Sequence, residues 1–293
     1  MKIGIVGLGR MGAAMSQRLH RQGFDLVGWD RTAGTREKLA AAGLRIVASA
    51  GDVAANADIV ITSITEDHGV RAVFTGPTGF FAGDIGSKLF VEMSTLQPMT
   101  GRELAPLVEA RGARLIDAPV LGTIPQVRDG KLFALVGGRA EDLERARAVL
   151  DKLTGRIAHM GPHGSGYAMK LAANLGLAAY VQALAESLAL GAAEGLALEQ
   201  MLDVLQDAPY ASGWLRTKLP VFKGAAAEMS LDIRTLRKDV MSAVATGALG
   251  GVPMPLSAGT LAALSAAVAA GYADRDLAEL PKFVREAMRQ DFR

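Results

Sequence analysis

The chain has no cysteine among its 293 residues. That excludes disulfides, a thiolate nucleophile and any metal site built on sulfur ligands. Histidine is scarce, and His20, His68, His159 and His163 show no metal-ligand spacing, so no metal site is expected. An excess of either charge is lacking too: 32 Lys and Arg stand against 30 Asp and Glu, for a net charge of +2. With no basic tail or stripe, no nucleic-acid partner is expected. The start, Met1-Lys2-Ile3-Gly4-Ile5-Val6, has no n-region, apolar core and cleavage site, so no signal peptide is read and a cytoplasmic location is expected. Asn174, Gln182 and Glu186 interrupt the longest apolar stretch, which favours a buried soluble helix over a membrane span. There is no internal repeat and no low-complexity tract.

What is present alternates. A hydrophobic content of 50% suffices for a full core, and the length suits one large or two ordinary domains. Short apolar runs at 2–6, 25–30, 45–48, 58–64, 88–94, 114–119, 132–137 and 156–160 read as strands. Helical patterns lie between them, clearest through Leu19 and at 35–42, 97–111 and 140–153. That order predicts an α/β fold with a doubly wound parallel sheet. Beyond residue 165 only helices are read, at 167–195, 198–206, 212–219, 230–249, 255–270 and 280–289. The first is apolar nearly all round, as a helix buried among others would be. The expected domains are 1–161 and an all-α domain at 162–293.

The first strand leads into Gly7-Leu8-Gly9-Arg10-Met11-Gly12. A G-x-G-x-x-G between a strand and a helix, with an acidic Asp30 closing the next strand, is the context a dinucleotide loop requires. Gly7 permits the turn, Gly9 lets a pyrophosphate approach the backbone, and Gly12 lets the helix pack. The helix N-terminus supplies amides to the phosphates. Asp30 favours NAD through the ribose hydroxyls, while Arg31 and Thr32 leave NADP open. Ile64-Thr65 and Ser94-Thr95 end other strands, where α/β folds bind ligands, and are expected to contact the cofactor.

The stretch from Gly161 to Asn174 marks the change of architecture. Lys170 and Asn174 stand four residues apart, on one helix face. A cation and an amide on one helix face at a domain junction suggest a site, because ligand clefts favour such junctions. The apolar neighbours Met169, Leu171, Ala172 and Ala173 make the segment look buried. Trp214 either walls a substrate pocket or packs in the helical core. Lys238 and Asp239 share a helix with Arg234 and Arg237, which alone reads as a solvated face. His163 reads as a turn histidine and Asp117 as structural.

These motifs together resemble the β-hydroxyacid dehydrogenase family, which includes 3-hydroxyisobutyrate dehydrogenase and tartronate semialdehyde reductase. The resemblance spans essentially the whole chain. It rests on the 5–12 loop, on Asp117-Ala118-Pro119-Val120-Leu121-Gly122-Thr123, on Gly164-Ser165-Gly166 with Lys170 and Asn174, and on Lys238-Asp239. It implies an N-terminal Rossmann domain, a long interdomain helix and an all-α domain for substrate and oligomerisation. It also implies homodimers or homotetramers, NAD or NADP, and interconversion of a small β-hydroxyacid with its aldehyde or ketone. Lys170 is the implied catalytic lysine and Asn174 a substrate- or lysine-positioning amide. Leu121, Gly122 and Thr123 fall at the substrate loop, and Lys238 becomes a cofactor or substrate contact. One departure stands out: the family commonly has Ser-Gly-Gly or Ser-Gly-Ser where this chain has Leu121-Gly122-Thr123, with Thr123 offering a hydroxyl two positions on. Two other readings remain, an imine reductase on this scaffold and a non-catalytic nucleotide-binding module.

Overall fold

A computed structural model describes residues 1–226 and 229–290, with the side chains of 288–290 left aside. The expected second domain therefore ends three residues beyond the described chain. Two compact units are present, Met1–Ala172 and Ala173–Arg293.

The first unit runs β1 (Lys2–Val6), α1 (Arg10–Arg21), β2 (Asp25–Trp29), α2 (Ala33–Ala41), β3 (Arg45–Ile46), α3 (Ala50–Ala55), β4 (Ile59–Thr62) and α4 (Asp67–Thr75). It continues with β5 (Leu89–Glu92), α5 (Pro98–Glu109), β6 (Arg114–Asp117), β7 (Val120–Leu121), α6 (Ile124–Asp129), β8 (Leu132–Gly137), α7 (Ala140–Leu153) and β9 (Thr154–Gly161). The sheet order is β3-β2-β1-β4-β5-β6-β8-β7, with β9 beside β8. Pairing is parallel from β3 to β6, and β6 and β7 meet β8 antiparallel, a departure from the all-parallel expectation. The cause is local. Residues 122–131 alone separate β7 from β8, fewer than the dozen or more that a parallel crossover needs.

The central strands are apolar on both faces, as strands covered on both sides must be. Ile3, Ile5, Val60, Ile61, Phe90 and Val91 are fully buried. Helix α1 covers one face with Gly12, Met15 and Leu19, at helical spacing, and α7 adds Leu143, Ala146, Val149 and Leu150. On the other face Phe74, Phe80 and Phe90 pack with centroids 4.7–5.2 Å apart, and Tyr167 joins the same cluster. Truncating a buried Phe in such a cluster costs about 3–5 kcal/mol. The strand order reverses direction at β1 and β4. Gly7, Asp30, Ile64 and Ser94 all follow the carboxyl ends of strands around that point, where open α/β sheets bind their ligands.

Helix α8 (Ser165–Ala193) begins in the first unit and ends in the second, which adds α9 (Leu198–Gln206), α10 (Gly213–Phe222), α11 (Ile233–Leu249), α12 (Pro255–Ala267) and α13 (Leu280–Gln290). Ala178, Val181 and Ala185 of α8 pack with Ile233, Leu236 and Val240 of α11 and Leu264 of α12. A buried ion pair closes this bundle: Lys218 Nζ lies 3.0 Å from Asp276, whose carboxylate also accepts from the Ser230 and Ala278 amides. Burial alone would raise the Asp276 pKa, but those donors bring it below its ordinary value.

The expectation that α8 is buried all round is corrected. Leu190 is 67% exposed, and Ala168 and Met169 are exposed as well. By length and composition, α8 and the helical stretch Pro255–Tyr272 are the two in the described chain that could cross a membrane. An apolar helix surface longer than its neighbours in one chain leaves part of itself bare.

Candidate active site

The glycines of the first loop have three different physical reasons. Gly7 has φ +87°, and a Cβ there would meet the Ser63 carbonyl at 2.3 Å. A Cβ on Gly12 would meet the Gly7 carbonyl at 1.9 Å, so the helix could not pack. A Cβ on Gly9 would meet no protein atom within 4 Å. Gly9 also caps α1 without any side-chain hydrogen bond. Open space above a bare helix N-terminus, on an exposed Gly9 and Arg10, fits a pyrophosphate.

Asp30 ties this loop to the next. Its Oδ2 accepts the Leu8 amide at 2.7 Å and its Oδ1 the Thr32 amide at 2.8 Å. Each oxygen keeps a further lone pair for a ribose hydroxyl. Leu8 is itself a core residue, 2% exposed. Its amide is engaged by Asp30, so its part in the loop is to seat that carboxylate. Met11 is half-buried against the first core cluster. Arg31 and Thr32 are exposed, and Arg36 donates to the Asp30 and Arg31 carbonyls at 2.6 and 2.9 Å. The sequence reading had not marked Arg36.

Ile64 and Ser94 are brought together: the Ile64 amide donates to Ser94 Oγ at 2.8 Å. The Ser94 hydroxyl in turn donates to Glu92 Oε1. Ser94 is 4% exposed, so its hydroxyl faces inward, while Thr65 is exposed and Thr95 half-buried.

In the substrate loop, Leu121 pairs with Phe133 and is half-buried, and Gly122 is exposed at φ +129°. A Cβ at Gly122 would meet the Leu132 side chain at 2.7 Å. Thr123 caps α6 in a capping box, donating its hydroxyl to Gln126 Oε1 at 2.6 Å. The hydroxyl expected to replace the family's serine is therefore engaged within its own helix cap.

Two buried carboxylates receive the start of α8. Asp117 accepts the amides of Gly164, Gly166 and Tyr167 at 2.9, 2.8 and 3.3 Å. This is the helix N-terminus satisfied by an acid from another element. Burial raises the Asp117 pKa against those bonds. Glu92 accepts the Tyr167 hydroxyl at 2.5 Å. His163 Nε2 lies 3.6 Å from Glu109 in the turn before the helix. Lys170 follows one turn later and is half-buried, more open than its apolar neighbours suggested. Of those neighbours Leu171 is buried, Ala173 half-buried, and Met169 and Ala172 exposed, so their shared apolarity did not report burial.

Within the second unit, Asn174 Nδ2 donates to Asp239 Oδ2 at 2.6 Å, and Lys238 Nζ lies 2.6 Å from Asp239 Oδ1. Asp239, 2% exposed, thus fixes which way the Asn174 amide faces. Lys238 is half-buried beside the buried Asp239, while Arg234 on the same helix is exposed. Trp214 packs edge-on against Tyr180 and Phe222, at 6.5 and 6.1 Å, in the position of a core aromatic.

Residues 2–161 match a family model described as the NAD binding domain of 6-phosphogluconate dehydrogenase. Residues 164–284 match one described as NAD-binding of NADP-dependent 3-hydroxyisobutyrate dehydrogenase. The chain belongs to the β-hydroxyacid dehydrogenase family. The Mycobacterium tuberculosis 3-hydroxyisobutyrate dehydrogenase solved with L-serine is 30% identical to this dehydrogenase, with a TM-score of 0.85 over 97% of this chain and 99% of that one. An NAD-dependent L-serine dehydrogenase of Pseudomonas aeruginosa is 29% identical over 96% of this chain and 97% of its own. An imine reductase of Myxococcus stipitatus, 21% identical with a TM-score of 0.66 over 97% of this chain and 98% of that one, shares the fold.

This dehydrogenase is an NAD(P)-dependent oxidoreductase that interconverts a small hydroxyacid and its carbonyl form. In the first unit, Glu92 and Tyr167 join Arg36 as residues to which sequence reasoning gave no role. A signal existed for Glu92: a carboxylate inside the run Leu89-Phe90-Val91-Glu92-Met93 must be paired or neutral.

Proposed function

We propose that Lys170 moves the hydroxyl proton while a small β-hydroxyacid is oxidised or its aldehyde reduced. The observation that carries this is the anchoring of α8: Asp117, at the carboxyl end of β6, holds the turn that leads to Lys170, in the same compact unit as the Gly7–Gly12 loop. The nicotinamide, when bound, takes or returns the hydride. As a neutral amine, Lys170 accepts the hydroxyl proton in oxidation, and as an ammonium it gives the proton back in reduction. The ammonium also stabilises negative charge on that oxygen. Asn174, its amide set by Asp239, orients the substrate, and Lys238 contacts the cofactor.

The amides of the α1 start hold the pyrophosphate, and Asp30 holds the adenosine ribose. The Asp30 carboxylate would repel a 2′-phosphate, so NAD is preferred, with Arg31 and Arg36 moderating the preference. Leu121 removes a hydroxyl donor and adds apolar surface, and Thr123 is already engaged. A substrate with an apolar group beside its acid, such as 3-hydroxyisobutyrate, is therefore favoured over L-serine. A second copy of the chain covers exposed apolar side chains such as Leu190, Leu249 and Leu256, giving a homodimer or homotetramer, which light scattering of the purified protein would report.

The test follows NADH and NADPH absorbance with 3-hydroxyisobutyrate, L-serine, succinic semialdehyde, glyoxylate and a cyclic imine. Turnover of hydroxyacids or aldehydes is expected, fastest with 3-hydroxyisobutyrate among the alcohols. Turnover of the imine alone would replace this reading with imine reduction.

A further inference from the structure

Glu92 occupies an unusual place. It ends β5 next to Asp117, its register partner at the end of β6, and it is fully buried. Three hydroxyls and one amide point at it. Thr62, from the end of β4, donates to Oε1 at 3.0 Å. Ser94 donates to Oε1 through its hydroxyl, and its amide lies 3.1–3.2 Å from the carboxylate. Tyr167, from α8, donates to Oε2. The Ser94 oxygen also accepts the Ile64 amide, so the chain of bonds runs from the turn after β4, through Glu92, into α8.

Nothing around Tyr167 leaves it slack. Its ring is 1% exposed, and a Cβ on Gly101 would stand 2.8 Å from that ring. Asp117 binds its amide and Glu92 its hydroxyl, so backbone and side chain are fixed by carboxylates on adjacent strands. Lys170 stands three residues on, about 4.5 Å along a rigid helix at 1.5 Å per residue. Displacing a reacting group by about 1 Å costs on the order of a hundredfold in rate.

We propose that Glu92 is a positioning residue for Lys170: by binding Tyr167 on one oxygen and Ser94 and Thr62 on the other, it fixes the first turn of α8 against the ends of β4 and β5. This rests on Lys170 carrying the proton. Burial raises the Glu92 pKa to about 7, against the lowering effect of the Ser94, Tyr167 and Thr62 bonds. Its titratable surroundings are Tyr167, whose own pKa is raised well above its ordinary value, Asp117 on β6, Asp67 near Tyr167, and His163 near Asp117. Glu92 changes charge in the working range, and the hold on Tyr167 changes from a charge-assisted bond to a neutral one.

Three variants of the full chain test this: Glu92→Gln, Tyr167→Phe and Lys170→Ala. Each is measured for kcat and KM across pH 5.5–9 and for nucleotide affinity by protein fluorescence. Tyr167→Phe is expected to lower kcat roughly ten- to a hundredfold with nucleotide Kd within about twofold of wild type. Glu92→Gln is expected to lower kcat comparably, weaken nucleotide binding a few-fold through Ser94, and remove a limb near pH 7 from the kcat profile. A lower melting temperature with unchanged kcat per nucleotide-binding site, or an unchanged pH profile in Glu92→Gln, would overturn the proposal and leave Glu92 a packing residue. If Lys170→Ala is inactive while the other two behave as wild type, this inference fails alone. If Lys170→Ala keeps full turnover, the reading of Lys170 fails and takes this one with it.

Discussion

Asp30 and Glu92 hold the same kind of position, a carboxylate at the carboxyl end of a parallel strand, and do opposite things with it. Asp30 is half-buried, accepts two amides from its own and a neighbouring loop, and keeps lone pairs towards solvent. Glu92 is fully enclosed by hydroxyls from three segments. The difference is one of exposure rather than of residue type. A carboxylate open at the carboxyl end of a strand can meet a ligand. One stride deeper it can meet only the protein, its pKa rises, and it becomes a connector between elements. On the proposed reading, Asp30 belongs to a face that recognises the nucleotide and Glu92 to an inner frame that holds the lysine.

The largest effect belongs to the framed side. Lys170→Ala should lower kcat by about 10²–10⁴, the usual range for a general acid or base, while nucleotide affinity stays near wild type. The absorbance assay combined with a fluorescence titration reads both. A parallel collapse of nucleotide affinity would erase the division between recognising face and frame.

The frame should also show itself in stability. The Glu92 carboxyl keeps its proton up to about pH 7 in the folded chain, against an ordinary value near 4.5. Between those values the unfolded chain has released a proton that the folded chain retains, so stability falls as pH rises. The contribution is fully present below about 4.5 and lost by about 7, and 2.5 pH units correspond to roughly 3 kcal/mol. Asp117 adds in the same direction, and Asp276, whose pKa is lowered, opposes both. The difference between wild type and Glu92→Gln in urea melts at pH 5 and pH 7.5 isolates the one group. Wild type should lose about 2–3 kcal/mol more than the variant over that interval, and identical slopes would contradict the buried titration.

How much of this was legible differs between face and frame for a physical reason. The proposed nucleotide face rests on local sequence: a strand, three glycines at fixed spacing and an acid at the end of the next strand, so Gly7, Gly9, Gly12 and Asp30 stand out as candidates without coordinates. The alternation of strands and helices along the chain, the long α8 and the all-helical second half were legible from periodicity, while the order of strands in the sheet was not read. Helix α3 was missed because six residues show no period, although Ser49 and Asp52 form its cap. Helix α4 was missed although Val70 and Phe74 mark its buried face. The frame joins residues 62, 92, 117 and 167 across distances no local pattern encodes. Thr123 misled for the opposite reason: its hydroxyl was visible, but its partner Gln126 answered a capping rule rather than a substrate.

On the nucleotide face, two glycines give a contrast of intermediate size. Gly12→Ala drives a Cβ into the Gly7 carbonyl, and backbone cannot yield as a side-chain tip can. It should destabilise by about 1–3 kcal/mol and abolish nucleotide binding. Gly9→Ala meets no protein atom, so its melting temperature should stay within a degree or two while nucleotide Kd rises about tenfold, or about 1.4 kcal/mol. If Gly9→Ala binds nucleotide as wild type does, the open space above α1 is not where the pyrophosphate lies.

Asp30→Asn should have the smallest effect on the protein and the most selective effect on the ligand. The amide oxygen can still accept from Leu8, whose N–H is buried with its side chain, and the amide nitrogen then faces the exposed Thr32, where water replaces the lost acceptor. Stability should change by less than about 1 kcal/mol. Removing the charge weakens the hydrogen bonds to the ribose hydroxyls and removes the repulsion of a 2′-phosphate, with Arg31 and Arg36 close by. The ratio of NAD to NADP affinity should therefore fall by about tenfold, through weaker NAD and equal or tighter NADP binding. The same substitution at Glu92 should leave that ratio unchanged, because both nucleotides share the nicotinamide end. Equal weakening of NAD and NADP in Asp30→Asn would mean that the exposed carboxylate, like the buried one, only holds the fold.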